Sequence, residues 1–217
     1  MCGRYAVVPS GTVHLPDTLA SLVPDFAPRY NLAPGQTAPV IRIGEAKPEC
    51  VELRWGFRPA WVADQGKAQI NARAETVFEK PMFRNSALKR RCLVLASAWY
   101  EWKKTAAGKE PCALRLKDQG LFVLAGIWTS GESGTEDSYA IVTKAANPTV
   151  SAVHERMPAI LDEGGSLQWL EDTDTERLGR LLMPGDRGDL VIYRVGKYVN
   201  NPRNNSPECL EAAATLS

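Results

Sequence analysis

Cys92-Leu93-Val94-Leu95-Ala96-Ser97, running on into Ala98 to Lys103, is the stretch whose reading decides the fold. It is a short, near-continuous apolar run, which suits a buried strand. Ala106-Ala107-Gly108 supplies a turn. Cys112–Leu116 and Leu121–Ile127 then read as a hairpin around Asp118–Gly120. Upstream, Pro39–Ile43 reads as a strand. Residues 51–55 alternate, with Val51, Leu53 and Trp55 on one face and Glu52 and Arg54 on the other. Downstream, Tyr139–Thr143 and Leu190–Val195 have the same character. Strands therefore come in runs and do not alternate strictly with helices. That predicts an α+β fold: a single domain with a central, largely antiparallel, barrel-like sheet flanked by short helices.

The remaining segments fit around that sheet. Residues 15–36, with four prolines, read as a short helix followed by an extended loop. Residues 71–90 mix helix formers with Pro81 and predict short helices. Asn147-Pro148 is a helix start, with Asn as N-cap and Pro at the first helical position. Thr173-x-x-Glu176 reads as a capping box ahead of Leu178, Leu181 and Leu182, with Met183-Pro184-Gly185 ending that helix. The core is expected over about 2–195, with an irregular tail over about 200–217 lying on the surface.

The chain has 217 residues, 44% of them apolar, enough for one packed core without staples. No run approaches a membrane span, and no signal peptide precedes Cys2, so a cytoplasmic protein is expected. Its five cysteines are widely spaced and form no C-x-x-C, which argues against a disulfide framework or zinc site. With only His14 and His154 available, metal catalysis lacks ligands, and no cofactor is expected. Cys50, Cys92 and Cys112 read as core residues. The net charge is +1, but Arg84, Lys89, Arg90 and Arg91 cluster, as do Lys103 with Lys104, and Arg194, Lys197 and Arg203. Acidic residues gather at 132–137 and 162–176, so a basic groove can exist on a near-neutral protein.

Chemistry points first to the amino terminus, Met1-Cys2-Gly3-Arg4-Tyr5. Removal of Met1 would leave Cys2 with a free α-amine and a thiol on adjacent carbons. An amine condenses with an aldehyde to an imine, and the neighbouring thiol can close on it as a thiazolidine. An α-amine titrates near ~7.7–8 and a thiol near ~8.5, and neighbours are expected to lower both. The plainer reading of Cys2 is a small buried residue.

Three further places break the apolar logic. Asn71, Arg73 and Glu75 sit in Gln69-Ile70-Asn71-Ala72-Arg73-Ala74-Glu75; Asn71 can orient an amine or a sugar oxygen, and Arg73 suits a phosphate. The plainer reading there is a helix cap and a surface ion pair. Glu101 lies within Trp99-Tyr100-Glu101-Trp102, where burial should raise its pKa and a nearby amine should lower it. His154 follows a helix start and can exchange protons near neutral pH. Trp61 and Trp102 could stack on bases or lie in the core.

These pieces occur in order along the chain: Met1-Cys2-Gly3-Arg4-Tyr5, Arg29-Tyr30-Asn31-Leu32-Ala33-Pro34-Gly35, Trp55-Gly56-Phe57 with Pro59 and Trp61, and Ile70-Asn71-Ala72-Arg73-Ala74-Glu75-Thr76. Arg91-Cys92-Leu93-Val94 leads into Trp99-Tyr100-Glu101-Trp102, followed by His154-Glu155-Arg156-Met157-Pro158 and Asn200-Asn201-Pro202-Arg203-Asn204. The set resembles the abasic-site processing family, also called the SOS response-associated peptidase (SRAP) family. The resemblance implies one SRAP domain over 1–217 that senses and shields abasic sites in single-stranded DNA. It implies that Cys2 forms a thiazolidine crosslink with the ring-opened deoxyribose aldehyde, with β-elimination (AP-lyase) as a side activity and autocatalytic or assisted Met1 removal.

By the same resemblance, Asn71 positions the reacting groups, Glu101 manages protons and His154 assists ring opening. Arg4, Arg73 and Arg156 would hold phosphates, while Pro34, Trp61 and Trp102 would line the strand. The partner implied is single-stranded DNA with abasic sites, bound by a monomer that associates with the nucleoid. Leu95-Ala96-Ser97-Ala98-Trp99 departs from the usual Pro-Ala-Asp-Gly-Phe, which touches the backbone just before Glu101. Two other classes stay open: an N-terminal-nucleophile amidohydrolase, though its Arg-Gly-His-type motif is missing, and a non-catalytic single-stranded-DNA-binding protein.

Overall fold

A computed structural model describes residues 2–62, 67–131, 136–183 and 188–213. In chain order the elements are β1 (Tyr5–Val7), α1 (Asp17–Ala20), β2 (Arg29–Leu32), β3 (Thr37–Ile43), β4 (Pro48–Trp55), β5 (Asn71–Arg73), α2 (Pro81–Lys89), β6 (Arg91–Ala96) and β7 (Ala98–Thr105). They continue with β8 (Gly108–Leu116), β9 (Phe122–Thr129), β10 (Ser138–Ala145), α3 (Pro148–Ser151), β11 (Arg156–Pro158), β12 (Ile160–Leu161), α4 (Glu163–Glu171), α5 (Thr175–Leu181) and β13 (Leu190–Arg194).

Two sheets carry the fold, which is α+β with a largely antiparallel, barrel-like core as expected. One has the order β13-β8-β7-β1-β2 and is antiparallel throughout. In the other, β10-β4-β3-β6-β9 closes on itself because β9 also pairs with β10, while β5, β11 and β12 add to this ring. The parallel pairs are β10 with β4 and β10 with β5. Closure removes the free edges of the ring, and the register sets Val40, Val94, Leu124 and Ile141, all fully buried, on one face of it.

Several expectations fail in instructive ways. The run from Cys92 to Lys103 is not one strand: it changes sheets at Ser97, between β6 of the ring and β7 of the second sheet. The Ser97 amide donates to the Ala6 carbonyl at 2.8 Å, so pairing with β1 captures the chain as it leaves the ring. Likewise β8 and β9 are not a hairpin. They lie in different sheets, and the turn between them contains Gln119 at a φ of 59°. Arg29–Leu32 is a strand and not part of an extended loop, because β1 takes its hydrogen bonds.

Asn71–Arg73 was expected to be helical. Parallel pairing with Ile141–Thr143 of β10 overrides local propensity there. Helix α5 is capped by Asp174, whose carboxylate accepts from Glu176 and Arg177 amides, so Thr173 is not the N-cap. A carboxylate one residue closer simply satisfies the same orphan amides. The position of Pro184 and Gly185 falls outside the described residues. The Asn147 cap forms as expected, with its side chain accepting from the Val150 amide at 2.9 Å.

From Asn200 on, the described tail lies mostly exposed over the surface as expected, but it is anchored at Cys209. Val199 and Cys209 are buried with Ala6, Ala98, Tyr100 and Ala113, making a second small core on the five-stranded sheet. Cys92 and Cys112 are core residues, whereas Cys50 is only partly buried. The basic cluster at 84–91 breaks up as well. Arg91 is buried, and its guanidinium donates to the carbonyls of Ala87, Leu88, Trp169, Leu170 and Asp172. It ties the ends of α2 and α4 together by serving carbonyls that a helix terminus leaves unpaired.

Candidate functional site

The sheet switch at Ser97 is what builds the site. Pairing of β7 with β1 places Tyr5 opposite Trp99, and the Tyr100 amide donates to the Arg4 carbonyl at 3.0 Å. Glu101, the next residue, is thereby carried to the amino-terminal end of the chain. From the ring side, β5 brings Asn71, whose side-chain amide donates to the Cys2 carbonyl at 2.8 Å. The Asn71 Oδ1 atom is buried and has no hydrogen-bond partner among the described residues.

His154 arrives by a third route. The Asn147-capped turn α3 runs into it, and the His154 amide donates back to the Val150 carbonyl at 3.0 Å. The Arg156 main-chain N–H lies 2.9 Å from the His154 Nδ1, and the Arg156 carbonyl lies 3.2 Å from the same atom. Burial lowers the imidazole pKa, and the positive charge at the chain's amino terminus lowers it further. That same charge acts on Glu101, so Asn71, Glu101 and His154 all converge on the first residues of the chain.

Glu101 is 3% exposed. Burial pushes its carboxyl up to about 7, while the charge of, and a hydrogen bond from, the amino terminus pull the other way. Both effects were legible in the sequence. The thiol behaves differently from expectation. Burial raises the Cys2 pKa strongly and the nearby Glu101 charge adds to it, so the thiol is held protonated rather than activated. Cys2 is also wholly buried, as its plainer reading would have it.

The other predicted residues divide into two sets. Arg4 lies within the group: it donates to Asn31 Oδ1 at 2.7 Å and to the Val199 carbonyl at 3.0 Å, and its guanidinium stands 5.9 Å from the centre of the Trp102 ring. Trp102 donates its indole N–H to Asn200 Oδ1 at 2.8 Å. Arg73 is exposed at the end of β5, across from Thr143. Arg156 reaches that same Thr143 carbonyl at 2.6 Å but grips the Glu75 carboxylate with both terminal nitrogens, at 2.5 and 2.9 Å. Pro34 is exposed in a cleft of about 400 Å³ with Arg29 and Arg203. Trp61 is 67% exposed and lines a different cleft, with Pro81 and Asn85.

Sequence reasoning missed the anchor of this region. Asn31 is buried, and its amide nitrogen reaches the carbonyls of Val199, Asn201 and Asn204 at 3.0–3.1 Å while its oxygen accepts from Arg4. The available signal was an Asn within apolar residues, paired with an Asn-rich tail. Tyr5 and Tyr139, joined by a 2.6 Å hydrogen bond between their hydroxyls, are another buried polar pair, and only Tyr5 stood in a motif. Among the described residues, no group of three His, Cys, Asp or Glu side chains could hold a metal, and no helix is long and apolar enough to cross a membrane.

Comparison with known proteins matches this arrangement to one family. Abasic site processing protein YoqW of Bacillus subtilis (strain 168) is 35% identical, over 98% of this chain and 100% of that protein. Abasic site processing protein HMCES of Gallus gallus is 30% identical, over 85% of this chain and 66% of its own length. A crystal structure of a protein from Bacteroides thetaiotaomicron superposes with a TM-score of 0.76 at 28% identity, covering 86% of each chain. The family description "SOS response associated peptidase (SRAP)" matches residues 1–202, and the chain belongs to that family.

Proposed function

We propose that this protein captures abasic sites in single-stranded DNA through Cys2. The observation that carries the reading is the hydrogen bond from Asn71 to Cys2, with Glu101 and His154 both acting on the amino-terminal charge beside it. Relatives named as abasic site processing proteins support it from outside the chain.

Hydrolysis of the Met1–Cys2 bond consumes one water and releases Met, leaving an α-amine on Cys2. His154 donates a proton toward the sugar ring oxygen while the Glu101 carboxylate takes the anomeric hydroxyl proton, so the C1′–O4′ bond breaks and the closed hemiacetal opens to an aldehyde. The amine attacks the aldehyde carbon to form a carbinolamine. Glu101, poised near 7, protonates the departing hydroxyl, and water leaves as the imine forms. The thiol then adds to the imine carbon. A C–S bond forms, the C=N double bond becomes single, and the thiol proton passes by way of Glu101 to nitrogen. The order of attack follows from the electrostatics: a thiol held protonated is a poor first nucleophile, so the amine begins and the thiol closes the ring. Asn71 fixes the Cys2 main chain throughout. Loss of the 3′ phosphate from the imine by β-elimination competes with ring closure and is the lyase side reaction.

Around the reacting sugar, Arg4, Arg73 and Arg156 take phosphates, and Pro34, Trp61 and Trp102 line the strand. Arg156 must exchange Glu75 for phosphate to do so. The protein acts as a monomer in the cytoplasm, at the nucleoid when on DNA, and needs no cofactor.

The test is a denaturing gel with abasic and intact single-stranded oligonucleotides. A covalent band with abasic DNA alone, lost in Cys2→Ala, is expected. No band from protein whose Met1 loss has been verified by mass spectrometry would sink the proposal. The complete burial of Cys2 favours one other reading, a non-catalytic strand-binding protein; that reading predicts undiminished binding by Cys2→Ala and no covalent band with either oligonucleotide.

A further inference from the structure

The largest cleft described lies away from Cys2, where the β3–β4 turn faces the end of α2. It measures about 740 Å³ and is lined by Arg42, Lys47, Lys89, Arg90 and Trp128, together with Glu45 and Glu49. Its floor is organised. The Arg42 guanidinium stacks 4.2 Å from the centre of the Trp128 ring and is held by Glu49 at 2.9 Å and Asp137 at 2.8 Å. Arg90 stands 5.8 Å from the same ring.

Arg42 is thus neutralised by its partners, but the other cations are not. Among the described residues, Lys47, Lys89 and Arg90 have no carboxylate partner. Lys47 and Lys89 are exposed. The ordinary role of Lys89, opposing the negative end of α2, accounts for one of the three charges and not for the cluster. Arg90 also lines the neighbouring cleft that contains Trp61, so a continuous track runs from Trp61 past Arg90 to Trp128 and Lys47. Cations that follow a backbone, interleaved with aromatic faces, are what a flexible polyanion with planar bases requires.

We propose that this track docks single-stranded DNA flanking the lesion, running on from Trp61. Lys47, Lys89 and Arg90 take phosphates, while Trp61, 67% exposed, offers a stacking face and Trp128 carries the Arg42 and Arg90 guanidiniums on its ring. The inference rests on the proposed function and adds a second contact region to it. It gives the basic cluster around residues 84–91 a use after Arg91 has gone to the core.

The test compares abasic oligonucleotides of ~6 and ~20 nucleotides, lengths on either side of a typical single-domain footprint. Wild-type protein should bind the longer one more tightly. The triple variant Lys47→Ala, Lys89→Ala, Arg90→Ala should bind it roughly tenfold more weakly, with a salt slope shallower by about 2, at ~0.7 per phosphate contact. Lys47→Glu alone, on an exposed turn, should shift both quantities in the same direction. Unchanged affinity and slope for the long strand would overturn the proposal. So would an equal loss for the short strand, which marks a diffuse field and no docking track. A wild-type protein that forms no adduct defeats the functional reading instead, whereas a normal adduct with no length dependence defeats only the track.

Discussion

Asn71 holds Cys2 by its main-chain carbonyl, at 2.8 Å, and leaves the side chain out of the bond. On the proposed function, the residue that becomes the nucleophile is fixed through atoms that do not react. Removal of Met1 changes the charge and chemistry on the Cys2 nitrogen but leaves this carbonyl in place.

Asn71→Ala should accordingly slow adduct formation far more than it weakens DNA binding. A buried hydrogen bond whose loss leaves an acceptor unpaired costs about 1–3 kcal/mol, which is roughly 5- to 150-fold in rate if it acts in the transition state. Single-turnover gels at saturating abasic DNA measure it. Loss of affinity in equal measure would assign Asn71 to binding.

Glu101 sets two pH dependences. The adduct rate should bend near pH 7, where its carboxyl titrates, and Glu101→Gln should lose that bend. Stability should move as well. Folded Glu101 keeps its proton to about pH 7, whereas an unfolded glutamate releases it near 4.5, so the folded state binds more protons in between. Stability contributed by this group is full below about 4.5 and declines as pH rises toward 7, by on the order of 3 kcal/mol. Urea melts at pH 5 and pH 7.5 should show a smaller difference for Glu101→Gln than for wild type.

On the proposed function, Glu75 competes with phosphate for Arg156. Ion pairs with a solvent-exposed carboxylate contribute about 0.2–1 kcal/mol, so Glu75→Gln should tighten single-stranded DNA binding by up to roughly fivefold. Fluorescence anisotropy across a salt series would measure it, with Arg156→Ala shifting affinity the opposite way. Weaker binding by Glu75→Gln would mean that the carboxylate aims Arg156 and does not withhold it.

Arg91 is a matter of stability alone. Arg91→Ala leaves buried carbonyls of α2 and α4 without a donor and should cost about 3–5 kcal/mol. Chemical denaturation reads this directly. Covalent capture per folded molecule should stay near that of wild type, since the guanidinium lies at the ends of α2 and α4 and makes no contact with Cys2, Asn71, Glu101 or His154.

Much of this molecule could be read before any coordinates. The runs of apolar residues from Cys92 onward predicted a sheet-dominated α+β fold, because buried strands need little beyond composition and short-range pattern. The Asn147 cap and the raised carboxyl of Glu101 followed from equally local physics: an orphan amide seeks an acceptor, and a carboxylate among aromatic residues is desolvated. Which strand pairs with which was another matter. The break at Ser97, the separation of β8 from β9 and the parallel seat of β5 depend on partners far away in the chain, and local propensity carries no record of them. The same is true of Arg91, whose charge looked like surface until five carbonyls from two helices closed on it. Burial of Cys2, and with it a thiol that stays protonated, also depends on what the fold lays over that residue; a side chain's identity determines its chemistry, but its environment determines which form is present.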